Sequence, residues 1–429
     1  MAGQNHLSPS KVVAIVSLGG FLELYDFIIY AMMAGYLADH FFPAGDQAVS
    51  LLLTFSTFSV GYLARPLGGA VFGHIGDRYG RKRTFALSVL MMAASTLTIS
   101  VLPGYSQLGV LAPVMLTILR LVQGFSLGGE VPGAITYLRE TQKHPGLAGG
   151  ALFMALMLGV AGASMVHNLL LVMLGQQQVA EWGWRLAFAL GGSLGIVSYY
   201  IRRRFRESPV FQALFEGQKR TQIPLVELVS SRGKSLVAGV MVMAMAGAVA
   251  TVLLIFGPGY YIRMLGYPSS EVSFAIAVAS VAASPACLLG GWLCEHVSRN
   301  HLLLILGMAL GAVSVPMFHL WVSGGSIWLV AIPASLMGAL FTGVIPVLLG
   351  GLFPARFRYT GVGLSYNLGM TIFGGLSPPL IMFLVGQTGD LSIPGYYLTG
   401  VAGLGLCGVI MLSGRGRLTN HKMAHRAIS

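Results

Sequence analysis

Ionisable side chains stand inside long apolar stretches of this 429-residue chain. Glu23 and Asp26 are three residues apart, so a helix would place both carboxylates on one face. Arg65 follows in the next apolar run, and a later run carries Arg120 and Glu130. A carboxylate in an apolar cavity resists ionisation, whereas a nearby arginine favours it, so separating the two groups can drive proton uptake. These residue types predict proton transfer coupled to movement.

Helix geometry predicts which of these charges meet. Asp26 is 15 residues after Lys11, and Arg120 is 19 residues before Arg139, which place them roughly 22 and 28 Å from those basic markers. An ion pair between Asp26 and Arg120 is therefore expected, whereas Glu130 lies closer to the basic end. A permanently satisfied pair that fixes helix register is the alternative interpretation. We assign proton coupling to four of these charges: Asp26, Arg120, Glu130 and Glu23.

The surrounding sequence is typical of a membrane protein. It is 55% hydrophobic and 9% charged, whereas soluble proteins are about a quarter charged. Roughly 20 apolar residues are needed for each crossing. The apolar runs predict an all-α membrane protein with twelve transmembrane helices near 11–38, 48–75, 83–103, 108–138, 146–174, 183–204, 235–264, 271–293, 300–321, 325–352, 359–386 and 395–413.

The basic residues set the predicted orientation. If the turn after span 2 is cytoplasmic, all but four of the 26 Lys and Arg residues lie on that side; Arg65 and Arg120 lie in the membrane, and Arg185 and Arg263 near its outer face. The net charge of +12 then records topology, and we expect no nucleic-acid partner. Both termini are expected in the cytoplasm, and the basic run 202–204 as a solvated flank that attracts anionic lipid.

The turn after span 2, here called the signature turn, reads Gly73-His74-Ile75-Gly76-Asp77-Arg78-Tyr79-Gly80-Arg81-Lys82-Arg83. It resembles the loop 2–3 signature of the major facilitator superfamily, which implies two six-helix bundles around a central cavity. A weaker copy at 291–299 lies after span 8, as expected of an internal repeat. Glu140 and Arg139 are expected partners of the turn. We expect gating by Gly73, Asp77, Arg78, Gly80, Arg81, Lys82, Glu295 and Arg299.

A long polar connection divides the chain. We expect an N-terminal six-helix bundle at 1–204 and a cytoplasmic linker at 205–234. A C-terminal bundle at 235–414 and a short cytoplasmic tail at 415–429 would follow. A chain of this kind is expected to work as a monomer in the lipid bilayer.

Five further segments resemble the metabolite:H+ symporter family of that superfamily, which includes organic-acid and proline/betaine carriers. They are ELYDF at 23–27, RPLGG at 65–69, RLVQGFSLGGE at 120–130, WGWRLAF at 182–188 and FPARFRYTG at 353–361. The resemblance implies proton-driven import of a small metabolite across a bacterial inner membrane. In related sugar symporters an acid in span 1 and an arginine in span 4 form the coupling pair, and Asp26 and Arg120 stand at the matching positions.

Fixed cations and neutral polar groups indicate the class of substrate. A guanidinium group suits bidentate binding of a carboxylate, so we expect a small organic acid or a zwitterion. Arg65 bonded to carbonyls that Pro66 frees is the structural alternative. The expected substrate-binding residues are Arg65, Arg120, Tyr25, Gln123, Tyr260, Tyr366 and Asn367.

Other classes of function find less support in the sequence. It contains no Gly-x-x-x-x-Gly-Lys-Ser/Thr phosphate loop, and we expect no enzyme, no metal site and no cofactor beyond the proton gradient. An exporter, a proton-independent uniporter and a non-transporting sensor are the alternatives. A sensor is disfavoured because the linker and the tail are too short for a signalling domain.

Overall fold

The computed structural model describes residues 8–43, 47–217 and 223–426, and these form helices and no strand. Two kinds of helix appear in the first half, long ones that stack side by side and short ones that connect them. They are α1 (Pro9–Met32), α2 (Ala34–Phe41), α3 (Gln47–Tyr79), α4 (Arg81–Val101), α5 (Tyr105–Leu108), α6 (Leu111–Thr141), α7 (Pro145–Gln178), α8 (Trp184–Arg202) and α9 (Pro209–Glu216).

The second half repeats the pattern of long helices. They are α10 (Pro224–Val249), α11 (Gly257–Arg263), α12 (Ser269–His296), α13 (Arg299–Val322), α14 (Ile327–Leu352), α15 (Arg358–Gly369), α16 (Ser377–Thr388) and α17 (Ile393–Arg426). Wide π-helical turns join α7 to α8, α10 to α11 and α15 to α16, at Val179–Gly183, Ala250–Ile255 and Met370–Gly375. A 3-10 turn, Ala355–Phe357, precedes α15.

Ten helical stretches of the described chain are long and apolar enough to cross a bilayer. One of them, Pro145–Arg202, has 58 residues and holds both α7 and α8. The prediction of an all-helical, multi-pass membrane protein is therefore confirmed. The count of twelve spans, the two bundles and their boundaries stay predictions.

Several element boundaries differ from those predicted. Helix α1 ends at Met32 rather than at 38, because the backbone leaves the helical region at Met33 and α2 begins. Helix α9 and the start of α10 lie within the predicted linker, and α17 continues past 413 to Arg426. Helix α9 is too short to be recognised as an apolar run. It begins with Ser208 as its N-cap and Pro209 as its first residue, and the Ser208 side chain accepts a hydrogen bond from Phe211 N–H.

Glycines allow the two halves to touch backbone to backbone. Helix α7 packs on α12 and α3 packs on α15. At Gly150 a Cβ atom would lie 2.5 Å from the Cys287 carbonyl oxygen, and at Gly73 it would lie 2.6 Å from Thr360 Cα. Small residues let membrane helices approach this closely. These contacts bring the second half against the signature turn.

The substitution Gly150→Ala is expected to destabilise the protein. The added methyl group would overlap backbone atoms of α12, and overpacking of this kind costs about 1–3 kcal/mol. Thermal unfolding in detergent measures the effect as a lowered melting temperature. Gly400→Ala is the matched control, because nothing lies within 4 Å of its added Cβ. Equal melting temperatures for the two variants would contradict the close contact.

Candidate functional site

Asp26 lies in a buried polar cluster formed by α1, α4 and α6. Its carboxylate accepts hydrogen bonds from Thr96 Oγ1 at 2.8 Å and Gln123 Nε2 at 3.0 Å, and Arg120 Nη1 lies 3.5 Å away. The Arg120 guanidinium also stacks 3.7 Å above the ring of Tyr30. The structure thus brings together Asp26 and Arg120, the two residues whose depth along their helices predicted an ion pair. Their role in proton coupling stays a prediction.

Two predicted substrate-binding residues make structural contacts at or near this cluster. Gln123 accepts from Arg120 Nη1 at 2.6 Å and donates to Thr96 Oγ1 at 2.7 Å, so its amide orients the Asp26 pair. Tyr25 donates to the Ala187 carbonyl of α8 at 2.9 Å and packs in the core of the first half. Like Arg120 and Asn367, neither residue lines the cavities described below, and a role for them in substrate binding stays a prediction.

Glu23 and Arg65 form a second buried pair at 3.0 Å. Arg65 Nε also donates to Asn367 Oδ1 at 3.4 Å, and Asn367 Nδ2 donates to the Gly128 carbonyl at 2.8 Å. Asn367 belongs to α15, so this pair is linked to the other half of the chain. Arg65 is therefore held by the side chains of Glu23 and Asn367. The structural alternative predicted bonds to backbone carbonyls near Pro66.

Glu23 and Asp26 do not share a partner, although the two positions lie on one broad face of α1. They bind different arginines, because positions three apart differ by about 60° around a helix axis. Glu23 faces α3 and a central cavity, and Asp26 faces α4 and α6.

Glu130 pairs with Arg202, a residue that was predicted to lie on a solvated flank. Its carboxylate accepts from Arg202 Nη1 at 2.6 Å and from Ser88 Oγ at 3.1 Å. Arg202 is 1% exposed, and its guanidinium lies 3.9 Å from the centre of the Phe85 ring. For Arg202, the prediction of a solvated, lipid-facing flank is wrong. The sequence does contain a pattern that indicates burial of Arg202. It lies on the same face of α8 as the small residues Gly191, Gly195 and Ser198, at helical spacing.

Asp77 of the signature turn caps a helix of the other half. Its carboxylate accepts from the backbone N–H groups of Tyr359 at 3.1 Å and Thr360 at 2.8 Å, near the start of α15. A carboxylate at a helix N-terminus satisfies unpaired donors and complements the helix dipole. Arg81 holds the same carboxylate at 2.5 Å and, as predicted, reaches Glu140, at 3.4 Å.

The remaining residues of the signature turn differ in what they contact. Gly80 has a φ angle of 126°, where glycine is favoured, and Glu207 accepts from the backbone N–H groups of Arg81 and Lys82 at 3.0 and 3.2 Å. Arg78 is exposed and lies over the ring of Tyr79. The side chains of Arg78 and Lys82 thus face outward. Arg139, an expected partner, is also exposed.

The weaker copy of the turn repeats the helix cap. Glu295 accepts from the backbone N–H groups of Gly146 at 2.7 Å and Leu147 at 3.3 Å, near the start of α7. His144 Nδ1 lies 3.1 Å from the same carboxylate. In the described chain Arg299 forms no ion pair with Glu295, so the match of Arg299 with Arg81 does not extend to this contact.

Two neighbouring cavities lie between the halves. The central cavity encloses about 50 Å³ and is lined by Glu23, Arg65 and Tyr366 among others. A larger cavity of about 440 Å³ includes Tyr260, whose hydroxyl donates to the Leu391 carbonyl at 2.7 Å. Both cavities touch Tyr62 and Ile255, and the larger lies toward the end opposite the signature turn. Among the described residues, no group of His, Cys, Asp and Glu side chains is placed to hold a metal ion.

Replacing Asp77 by Asn is expected to loosen the contact between the halves at the signature turn. The asparagine amide lacks the negative charge with which the Asp77 carboxylate binds Arg81 and the N-terminus of α15. The rate of maleimide labelling at Cys287, a buried residue of α12 whose backbone packs against Gly150 of α7, should rise severalfold. The measurement uses a Cys294→Ser, Cys407→Ser background, with the exposed Asp39→Asn as control. Unchanged labelling in Asp77→Asn would exclude this role for the cap.

Replacing Glu130 by Gln is expected to destabilise the protein, because it leaves the Arg202 charge buried without its carboxylate. Losing one member of a buried pair costs about 3–5 kcal/mol. The double variant Glu130→Gln, Arg202→Gln should recover most of the melting temperature, since no charge then stays unpaired. A double variant no more stable than Glu130→Gln would show that the two residues are not coupled.

Comparison of the sequence with known proteins identifies the family to which this chain belongs. The sequence model of the Major Facilitator Superfamily matches residues 16–378. The proline/betaine transporter of Salmonella typhimurium (strain LT2) is 32% identical over 412 residues, 92% of this chain and 82% of that protein. A putative proline/betaine transporter of Staphylococcus aureus (strain COL) is 31% identical over 409 residues, 94% of this chain and 88% of that protein.

Solved structures show the same fold. The proton:xylose symporter XylE bound to 6-bromo-6-deoxy-D-glucose aligns with a TM-score of 0.76 over 95% of each chain at 16% identity. The partially occluded, inward-open form of the xylose transporter XylE from E. coli aligns with a TM-score of 0.68 over 95% of this chain and 99% of that one. The chain belongs to the major facilitator superfamily, as the signature turn predicted, and it is a transporter rather than an enzyme.

Proposed function

We propose that this secondary transporter imports a small zwitterion that carries a carboxylate, together with protons. The observation that carries the proposal is a pair of buried acid–arginine contacts, Asp26 with Arg120 and Glu23 with Arg65. The second of these pairs lines a cavity between the halves. Charged side chains within a membrane span mark ion and substrate pathways.

Asp26 is the proposed proton carrier. If its carboxylate takes up a proton, the Arg120 cation loses its counter-charge inside a low-dielectric core. The carboxylate of the substrate can then pair with the Arg120 cation, so proton and substrate favour each other electrostatically. Gln123 keeps Arg120 in place meanwhile, because its amide oxygen accepts from the same guanidinium at 2.6 Å.

The central cavity supports a zwitterion over a simple acid. Glu23 and Arg65 present one negative and one positive group to it, which matches the two ends of an amino-acid-like molecule. The Arg65 guanidinium lies 5.6 and 5.9 Å from the centres of the Tyr62 and Tyr366 rings, and such rings also bind substituted ammonium groups. Three relatives are named for proline and betaine, and one of these names adds ectoine and pipecolic acid. An organic acid of similar size is the second candidate, because Arg65 would still bind its carboxylate.

The signature turn is taken as the cytoplasmic side of an inner membrane, with both termini on that side. The Asp77 and Glu295 caps hold this side shut, while the larger cavity lies toward the other. The structure then corresponds to a state closed toward the cytoplasm. Rocking of the halves about the central cavity would open the cytoplasmic side and deliver the substrate.

Reconstitution in liposomes tests the proposal. Uptake of labelled proline and glycine betaine is measured under an imposed pH difference, with citrate, α-ketoglutarate, shikimate and a neutral sugar as comparison substrates. Accumulation that collapses with a protonophore supports symport. Uptake indifferent to the gradient would indicate a uniporter, accumulation driven by the reverse gradient an exporter, and absence of flux a sensor.

Asp26→Asn should abolish gradient-driven accumulation and retain exchange of external for internal substrate. The amide cannot carry a proton, whereas exchange needs only the loaded carrier. Asp39→Asn makes the same chemical change on an exposed side chain of α2 and should behave as the wild type. Full accumulation by Asp26→Asn would rule out Asp26 as the proton carrier.

A further inference from the structure

We infer that the larger cavity is a separate entry subsite in which Arg263 binds the carboxylate of an arriving substrate before it reaches Glu23 and Arg65. The inference rests on the proposed function, because it concerns the same carboxylate-bearing substrate. It assigns a binding role to a residue that the sequence analysis placed only near the outer face.

The cavity has the size and chemistry of a binding site. It encloses about 440 Å³ and is lined by parts of both halves of the chain, including Ser59 of α3, Tyr260 and Arg263 of α11, and Pro378 of α16. Arg263 is the one charged side chain among the described residues that line it. Arg263 and Met382 on its wall are exposed, so the cavity is accessible from outside.

Arg263 differs from the arginines buried within the helix bundle. Arg65, Arg120 and Arg202 are each held by a carboxylate. The half-buried Arg185 is also satisfied, because it donates to the carbonyls of Ser100 and Leu102. Within the part of the chain that the structure describes, Arg263 has neither an ion pair nor a hydrogen bond from its side chain. Its guanidinium donors stay available for a ligand carboxylate, which it can bind through two parallel hydrogen bonds.

The two cavities are distinct in this conformation. The central one, at about 50 Å³, has room for one or two waters and not for an amino acid. Tyr62 and Ile255 line both and lie between them. The Tyr62 carbonyl accepts from Thr371 Oγ1 at 3.0 Å, and its ring packs 4.9 Å from that of Phe27, so it bridges helices of both halves. A substrate arriving in this state therefore fits the larger cavity first.

The rings beside Arg263 complete a site for a zwitterion. Phe256 and Tyr260 lie 5.3 Å apart on the cavity wall, on the same side as Arg263. Aromatic faces attract substituted ammonium groups, and the guanidinium takes the carboxylate. Because the cavity is open, the charge attraction is screened by salt over about 10 Å at 0.1 M ionic strength.

The experiment compares Arg263→Gln and Arg263→Lys with Arg204→Gln, the same chemical change on an exposed arginine that does not line the cavity. Proline and glycine betaine uptake in liposomes is measured at low and high ionic strength. Arg263→Gln should raise KM roughly tenfold at low salt, as expected for loss of a charge-assisted hydrogen bond, with kcat almost unchanged. Arg263→Lys should recover much of the loss, and Arg204→Gln should leave KM unchanged. The KM difference between wild type and Arg263→Gln should shrink at high salt.

An unchanged KM in Arg263→Gln, or a loss of kcat alone, would overturn the entry subsite. Stabilisation of the detergent-solubilised protein by proline or betaine gives a second measurement, which Arg263→Gln should weaken without lowering the melting temperature of the ligand-free protein. If wild-type uptake ignores the pH difference while Arg263→Gln raises KM, proton coupling fails and the subsite stands. If neither zwitterion is transported nor stabilises the wild type, both proposals fall.

Discussion

The structure depends on one electrostatic constraint: a guanidinium group within the membrane core must be neutralised. Moving an isolated charge into a low-dielectric interior costs several kcal/mol, and a partner recovers much of that penalty. Arg65, Arg120 and Arg202 each meet a carboxylate on another helix. These three pairs fix how α1, α3, α6 and α8 lie against each other, so the first half is organised around charges rather than around apolar packing alone.

A second type of contact joins the halves and is weaker by nature. Asp77 and Glu295 each accept hydrogen bonds from two backbone N–H groups at the second and third positions of a helix in the opposite half. Water can replace such a carboxylate at a helix end, because both partners are hydrated once the contact opens. The two caps occupy matching places in the internal repeat. The same type of helix cap thus joins the two halves at both of these positions.

Much of this arrangement was predictable from the sequence, for identifiable reasons. Apolar length indicated an all-helical, multi-pass membrane protein, and counting residues from basic markers paired Asp26 with Arg120, because helix rise is constant. Arg202 was misassigned, since a basic run at a helix end is usually solvated, and only the small residues on its face marked it as buried. The partner of Glu23 depends on angle around the helix as well as on depth. Helix α9 and the separation of the two cavities arise from tertiary contacts that hydropathy does not encode.

The two types of contact give a physical reason for coupling under the proposed mechanism. A cap that water can replace opens readily, so the caps alone would let the halves rock without cargo. The buried pairs cannot part in the same way, because separating Asp26 from Arg120 leaves two charges in a medium that water does not reach. Protonation removes one of these charges and the substrate carboxylate compensates the other. Movement then becomes favourable only when both are bound, which is the requirement for symport.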